Sequence, residues 1–325
     1  MMTNRVVFFA HYDPDGIIDD YVVAYVAAFY ELGVQCVYFS TDSDLSATQL
    51  KKLPSEAKVV NSTRHGEYDF GSWKLCLRAF EHDNGVRGLD TISELILCND
   101  SCYGPLTSFK EMFHSMDHRE VDYWGVTQVM KPFTYLPSYF LVMKPPVLAD
   151  DFFRGFLLGV GQFINKKEYC KLYEFGLNEQ LNQRGYRSDF YMKHHENLCH
   201  SSPLALSSQV FLNGMPFIRV MTAKTNPGGV AELGAAIAAA CEHSGYPLSY
   251  ITNHLTRVSP SYQKYWSYLV GDLEKRILWV IRVRYKPKPS SNKLRLKNWF
   301  LGFPIFFCYL PMHYVNDSAY CNYNG

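Results

Sequence analysis

The chain reads as an α/β protein built on a mostly parallel sheet flanked by helices. Two observations predict this. Residues 6–10, 35–40 and 94–98 form short apolar, β-branched or aromatic runs with little polar alternation, the pattern of strands covered on both faces. Between the first two runs, Ile18, Val22, Tyr25, Val26 and Phe29 recur at helical spacing over 17–32, and Gly33 stands where a C-terminal cap belongs. Strand, helix, strand is the unit of a parallel sheet with right-handed crossovers, and ligands of such sheets bind beyond the carboxyl ends of the strands.

The first strand runs into His11-Tyr12-Asp13-Pro14-Asp15-Gly16, a turn with two carboxylates ahead of the helix. Helix capping alone accounts for such a turn. The run 94–98 ends in Asn99-Asp100-Ser101 and is followed by Cys102-Tyr103-Gly104-Pro105, so a second carboxylate stands at a strand end. Two acidic strand ends in one sheet point to a binding site, because a charge beside a core is costly. Strands are expected over 121–127 and 138–143, helices over 152–163 and 173–184, with Gly155, Gly159 and Gly161 read as points of close helix packing. An alanine-rich helix is expected over 230–242.

With 325 residues, 47% apolar and 19% charged, the chain has the composition of a folded protein of about two domains. The boundary is expected near Asn226-Pro227-Gly228-Gly229, giving domains 1–227 and 228–325. A formal charge of +1 offers no global field for nucleic acid, so no nucleic-acid partner is expected. Nine scattered cysteines without a close-spaced framework suit reduced thiols and a cytoplasmic location. The start lacks a signal-peptide pattern, and no apolar stretch reaches the length of a spanning helix.

Gly159-Val160-Gly161 lacks a third glycine and a leading strand, so it is no dinucleotide fingerprint; Walker, Gly-x-Ser-x-Gly and His-Glu-x-x-His patterns do not occur. His195 and His200 are spaced five apart, which suits a polar loop better than zinc. Nine Lys or Arg residues over 275–297 precede an aromatic, apolar segment, 299–310. That pattern fits either an interfacial anchor over 275–311 on an anionic leaflet or a tail that packs on the domain or is disordered.

A cation at the end of such a sheet, held by few carboxylates, meets phosphate oxygens, which suits a nucleotide diphosphate and Mg²⁺ or Mn²⁺. Asp100 is the candidate ligand. Inverting sugar transfer also needs one general base, and Glu174, read as beginning an amphipathic helix near its positive end, is the candidate, although helix stability alone favours a carboxylate there.

The ordered series 95–105, Asp122-Tyr123-Trp124-Gly125, Tyr139-Phe140-Leu141-Val142, Tyr173-Glu174 with Gly176-Leu177, Gly214-Met215-Pro216-Phe217 and Asn226-Pro227, with His11-Tyr12-Asp13, Gly16 and Tyr21, resembles the rhamnan synthesis F family of bacterial polysaccharide and lipopolysaccharide O-antigen biosynthesis, from about Arg5 to Pro227. The resemblance implies a GT-A-like nucleotide-sugar-binding fold and a rhamnosyltransferase using dTDP-rhamnose with inversion on a lipid-linked glycan acceptor. It implies that Asn99-Asp100-Ser101 stands at the Asp-x-Asp metal motif, here with Asn first, and one carboxylate holds a cation less firmly than two. His11, Tyr12 and Asp13 would flank the nucleotide, and Glu174 would serve as base. By its composition, beyond the stretch of resemblance, the basic segment would hold the enzyme at the cytoplasmic face of the inner membrane. Two competitors share these residues: a non-catalytic assembly protein of a polysaccharide synthesis complex, and a metal-dependent hydrolase using Asp13, Asp15 and Asp100.

Overall fold

Strand β1 (Arg5–His11) lies at the centre of the sheet because every side chain from Val6 to Ala10 is apolar and both faces have partners. Alternation along the strand sends Phe8 to one face and Phe9 to the other. Phe8 meets Phe80, with ring centroids 6.0 Å apart, and Phe9 meets Tyr25 at 5.3 Å. The structure is a computed structural model that describes residues 4–129, 134–161, 165–192, 214–227, 230 and 232–266. The His194–His200 cluster, Gly228-Gly229 and the basic and aromatic segment 275–311 lie outside the described residues.

The other elements, in chain order, are α1 (Asp20–Leu32), β2 (Cys36–Thr41), α2 (Ala47–Leu50), β3 (Lys58–Asn61), α3 (Tyr68–Asn84), β4 (Glu94–Asn99), β5 (Cys102–Tyr103), α4 (Phe109–Asp117), β6 (Tyr123–Gly125), β7 (Phe140–Met143), α5 (Pro145–Leu148), α6 (Asp151–Leu158), α7 (Lys166–Tyr169), α8 (Gly176–Gln183), β8 (Ser188–Phe190), β9 (Ile218–Arg219), α9 (Val220–Thr225), α10 (Leu233–Ser244), α11 (Leu248–Val258) and α12 (Gln263–Trp266). The seven-stranded sheet has the order β3-β2-β1-β4-β7-β6-β8. β3, β2, β1 and β4 are mutually parallel; β7 is antiparallel to both β4 and β6, and β8 runs parallel to β6. β5 and β9 form a separate antiparallel pair. Chain order reverses beside β1, where β2 lies on one side and β4 on the other, so the switch-point crevice opens at the ends of β1 and β4.

Helix α1 ends at Gly33, which adopts φ +86° and donates its N–H to the carbonyls of Phe29 and Tyr30, as expected of a glycine cap. The helix begins at Asp20, three residues later than the apolar spacing suggests. Asp13 Oδ1 accepts the N–H groups of Asp15 and Ile17, and Gln49 accepts that of Ile18, so side chains satisfy these amides in a non-helical turn. Gly16 closes this turn at φ +65°; a Cβ there would lie 2.4 Å from the Asp44 carbonyl oxygen.

Three local expectations are corrected. The strand at 121–127 is shortened to Tyr123–Gly125, with the Asp122 carboxylate taking the Arg187 N–H at 2.7 Å. Close helix packing does not explain the glycines of 152–163: a Cβ at Gly155 or Gly161 would meet nothing within 4 Å, and Gly159 forms the C-cap of α6. Glu174 does not begin a helix. The helix starts at Lys166, capped by Asn165 accepting from the Glu168 N–H, and runs to Gln183 through a π-helical stretch, Cys170–Phe175, so Glu174 sits in its third turn, away from the positive end.

Beyond residue 228, Leu233 and Ile237 of α10 and Ile251 and Leu255 of α11 are buried in the same continuous apolar core as the sheet. Among the described residues no helix is long and apolar enough to cross a membrane.

Candidate functional site

Three parallel strands end side by side in polar residues that are nevertheless buried: His11 at the end of β1, Thr41 at the end of β2 with Asp42 and Ser43 just after it, and Asn99 at the end of β4. Asp100 follows Asn99, with its side chain 12% exposed. Its Oδ2 accepts the Tyr12 N–H at 2.8 Å and lies 3.8 Å from His11 Nε2. The other ring nitrogen, Nδ1, is 2.8 Å from Thr41 Oγ1. Tyr21 of α1 donates its hydroxyl to the Asp100 carbonyl at 3.0 Å. Burial pushes the Asp100 carboxyl well above the usual carboxylate range. Burial likewise lowers His11 to about 4, against the pull of Asp13, so the imidazole is neutral at pH 7.

Asn99 explains how its neighbour is held. Its amide donates to Asp69 Oδ2 at 2.8 Å, while its Oδ1 accepts both the N–H and the hydroxyl of Ser101. Both ends of the Asn99 amide are therefore engaged, and Asp100 is the carboxylate that this segment presents. Asp69, in the first turn of α3, was not anticipated from sequence. Phe70 N–H of the same turn donates to the Tyr169 hydroxyl at 2.7 Å. Burial raises the Asp69 carboxyl, with the Lys166 charge and the Asn99 hydrogen bond pulling the other way and Glu174 adding to the rise. Glu174 is itself fixed, its Oε1 accepting the N–H and hydroxyl of Ser138 at 3.3 and 3.2 Å. The next residue, Tyr139, gives its carbonyl to the Asn99 N–H at 3.4 Å. The expected residues Asp100 and Glu174 are thus joined through Asn99 and Ser138-Tyr139, with Asp69 between them in the electrostatics.

The β1 loop carries a second unanticipated feature. Arg257 of α11 donates to Asp13, Asp15 and Asp19 at 2.5, 2.9 and 2.6 Å at closest approach. Beside it, His254 Nδ1 is 2.6 Å from the Tyr103 hydroxyl, and burial lowers this histidine to about 4. Asp19 is raised by burial despite the guanidinium. Only Asp13 of this cluster was singled out for the nucleotide; Arg257 lies 244 residues away in sequence, and no local pattern marks it.

Among the described residues one group of three possible metal donors, Asp13, Asp19 and His254, has its atoms within 4.8 Å of one another. Arg257 Nη2 already bonds both of these carboxylates, so a metal here would have to expel a guanidinium. Asp100 suits a cation better: it is a hard oxygen donor whose buried carboxyl would be held ionised by a bound cation, and no Lys or Arg ion pair to it occurs among the described residues. Such an ion would take one protein carboxylate and draw its other ligands from substrate and water. A polar cavity of about 220 Å³ lined by Ile18, Asp19, Asp20, Lys52, Tyr250 and Asn253 lies beside the Arg257 cluster and includes none of Asp69, Asp100 and Glu174.

Fold and site together define an α/β protein of doubly wound type with an acidic crevice at its switch point. The model of the family described as rhamnan synthesis protein F matches residues 37–281, and the chain belongs to that family. The match extends through α10 and α11, past the stretch in which sequence motifs were recognised. No curated protein gives a significant match to the chain.

Proposed function

We propose that this protein is a glycosyltransferase that moves L-rhamnose from dTDP-rhamnose to a growing cell-surface polysaccharide, with inversion at the anomeric carbon. The observation that carries the reading is the convergence of three parallel strand ends on one crevice at the switch point, in a chain of the rhamnan synthesis protein F family. The order β3-β2-β1-β4 is that of a nucleotide-binding half, and the reversed β7 continues it, which supports a GT-A-like sheet.

In this reading His11, Tyr12 and Asp13 border the nucleotide, and Asn99 and Ser101 hold the Asp100 segment. Asp100 would hold a divalent cation, which when bound offsets the charge that builds on the leaving diphosphate. Glu174 would accept the proton of the acceptor hydroxyl as that oxygen bonds to the anomeric carbon. The bond from that carbon to the diphosphate oxygen breaks, and dTDP leaves with the electron pair. Two Ser138 hydrogen bonds to Oε1 hold the carboxylate in one orientation for this role. The acceptor would be a lipid-linked glycan at the cytoplasmic face of the inner membrane, with 275–311 as the contact to the leaflet.

The assembly reading finds its support in Asn99, which occupies the first position of the Asp-x-Asp pattern with both amide ends engaged. A donor panel separates the two. The purified protein is mixed with nucleotide sugars and Mg²⁺ or Mn²⁺, and melting temperature and nucleotide release are followed. The transferase reading predicts stabilisation by dTDP-rhamnose and dTDP release only with a rhamnose-terminated acceptor. Binding without release in any condition is the outcome of the assembly reading, and free rhamnose released without acceptor is that of a hydrolase.

A further inference from the structure

Tyr68 opens α3 with φ +52°, a left-handed conformation that is costly for an aromatic residue. Burial does not repay this, since Tyr68 remains 38% exposed. The preceding loop imposes the geometry. Asp42 accepts the N–H groups of His65 and Gly66 at 2.7 and 2.6 Å, and Asp44 accepts that of Arg64 at 3.1 Å, so the β2 end pins the chain that delivers Tyr68. The Tyr68 ring lies 4.8 Å from that of Tyr169, and Lys166 Nζ stands 5.4 Å from its centroid. The next residue, Asp69, turns inward to Asn99. Lys166, Tyr169 and Glu174 share one helix.

Lys166, over the Tyr68 ring, and Glu174 both act on Asp69 electrostatically, and Asp69 bonds Asn99, so an aromatic ring, an ammonium and two carboxylates form one linked set that reaches Asn99. Each member selects against some ligands. Two carboxylates oppose a phosphate, and the acidic β1 loop at Asp13 to Asp19 does not reach this side chain set among the contacts seen. A polyhydroxylated neutral ring satisfies all four groups: its C–H face packs on an exposed aromatic ring, and its hydroxyls donate to carboxylates and accept from the ammonium. We propose that Tyr68, Asp69, Lys166 and Glu174 form a binding subsite for a neutral sugar, with the Tyr68 ring as its platform. In the transferase this subsite receives the terminal sugar of the acceptor, an assignment that rests on the function proposed above.

The test is saturation-transfer NMR on the full chain with methyl α-L-rhamnoside as probe, for wild type, Tyr68→Ala and Tyr68→Phe, with dTDP binding and melting temperature measured on each. Expected are a signal in wild type, a loss of at least fivefold in Tyr68→Ala, its recovery in Tyr68→Phe, and dTDP affinity unchanged within twofold. An undiminished signal in Tyr68→Ala, or no signal in wild type, overturns the subsite. A rhamnoside signal that depends on Tyr68 in a protein that binds no nucleotide supports the subsite and counts against the transferase reading alone.

Discussion

Replacing Arg257 with methionine removes the cation that joins α11 to the β1 loop. Two carboxylates would then be left nearly buried without a cationic partner, Asp13 at 5% and Asp19 at 18% side-chain exposure. Asp15, at 62%, is solvated and contributes little. Breaking a buried ion pair costs about 3–5 kcal/mol. The Arg257 side chain is 23% exposed, so solvent screening brings the expected loss to roughly 2–4 kcal/mol. For a folded unit of this size that lowers the melting temperature by roughly 5–15 °C. Arg257→Lys keeps the charge but not the planar fork that reaches three carboxylates, and is expected between the two. Thermal unfolding followed by circular dichroism measures the change. A loss below about 1 kcal/mol, the worth of an exposed pair, would refute the view that α11 clamps this loop.

Other consequences are as direct. His11 is neutral in the fold, lowered to about 4, and the unfolded chain binds its proton first as pH falls below 6.5. Stability from this group is therefore full above pH 6.5 and falls towards pH 4, by about 2 kcal/mol at pH 5; melting curves of wild type should drop more between pH 7 and 5 than those of His11→Gln, and parallel curves would contradict this. Asn99→Asp removes the amide that donates to Asp69 and sets two carboxylates face to face. It should cost about 1.5–3 kcal/mol at pH 7 in the presence of chelator and less as the pH falls, because burial raises the Asp69 carboxyl, and denaturant titration at pH 7 and 5 reads the difference. Gly16→Ala forces a methyl group to within 2.4 Å of the Asp44 carbonyl at positive φ, and should destabilise by about 1–3 kcal/mol in the same assay.

What could be read from sequence is what local pattern determines. β1, β2 and β4 announce themselves as apolar runs, α1 by its spacing and Gly33, and from these the strand ends at His11 and Asp100 follow by topology alone. The rest depends on contacts between distant residues. Asp69 is one carboxylate among many until Asn99, 30 residues later, turns its amide to it. Arg257 lies in an amphipathic helix whose pattern says only that one face is apolar, and its three aspartates lie at the other end of the chain. The sequence suggests a helix start at Glu174 because the π-helical turn at 170–175 breaks the regular spacing, and the true cap, Asn165, precedes a run that carries little apolar signal. The aromatic exposure of Tyr12 and Tyr68 is invisible to composition, since the same ring types fill the core.

The central claim is that the crevice at Asp100 takes a nucleotide sugar, and calorimetric titration of dTDP-rhamnose into wild type and Asp100→Asn, each in Mg²⁺ and in chelator, tests it most directly. The account predicts saturable binding to wild type, at least tenfold weaker binding to Asp100→Asn at an equal melting temperature, and a dependence on Mg²⁺ that the variant lacks. Equal affinity of the two proteins, or no binding of dTDP-rhamnose to wild type, would contradict it.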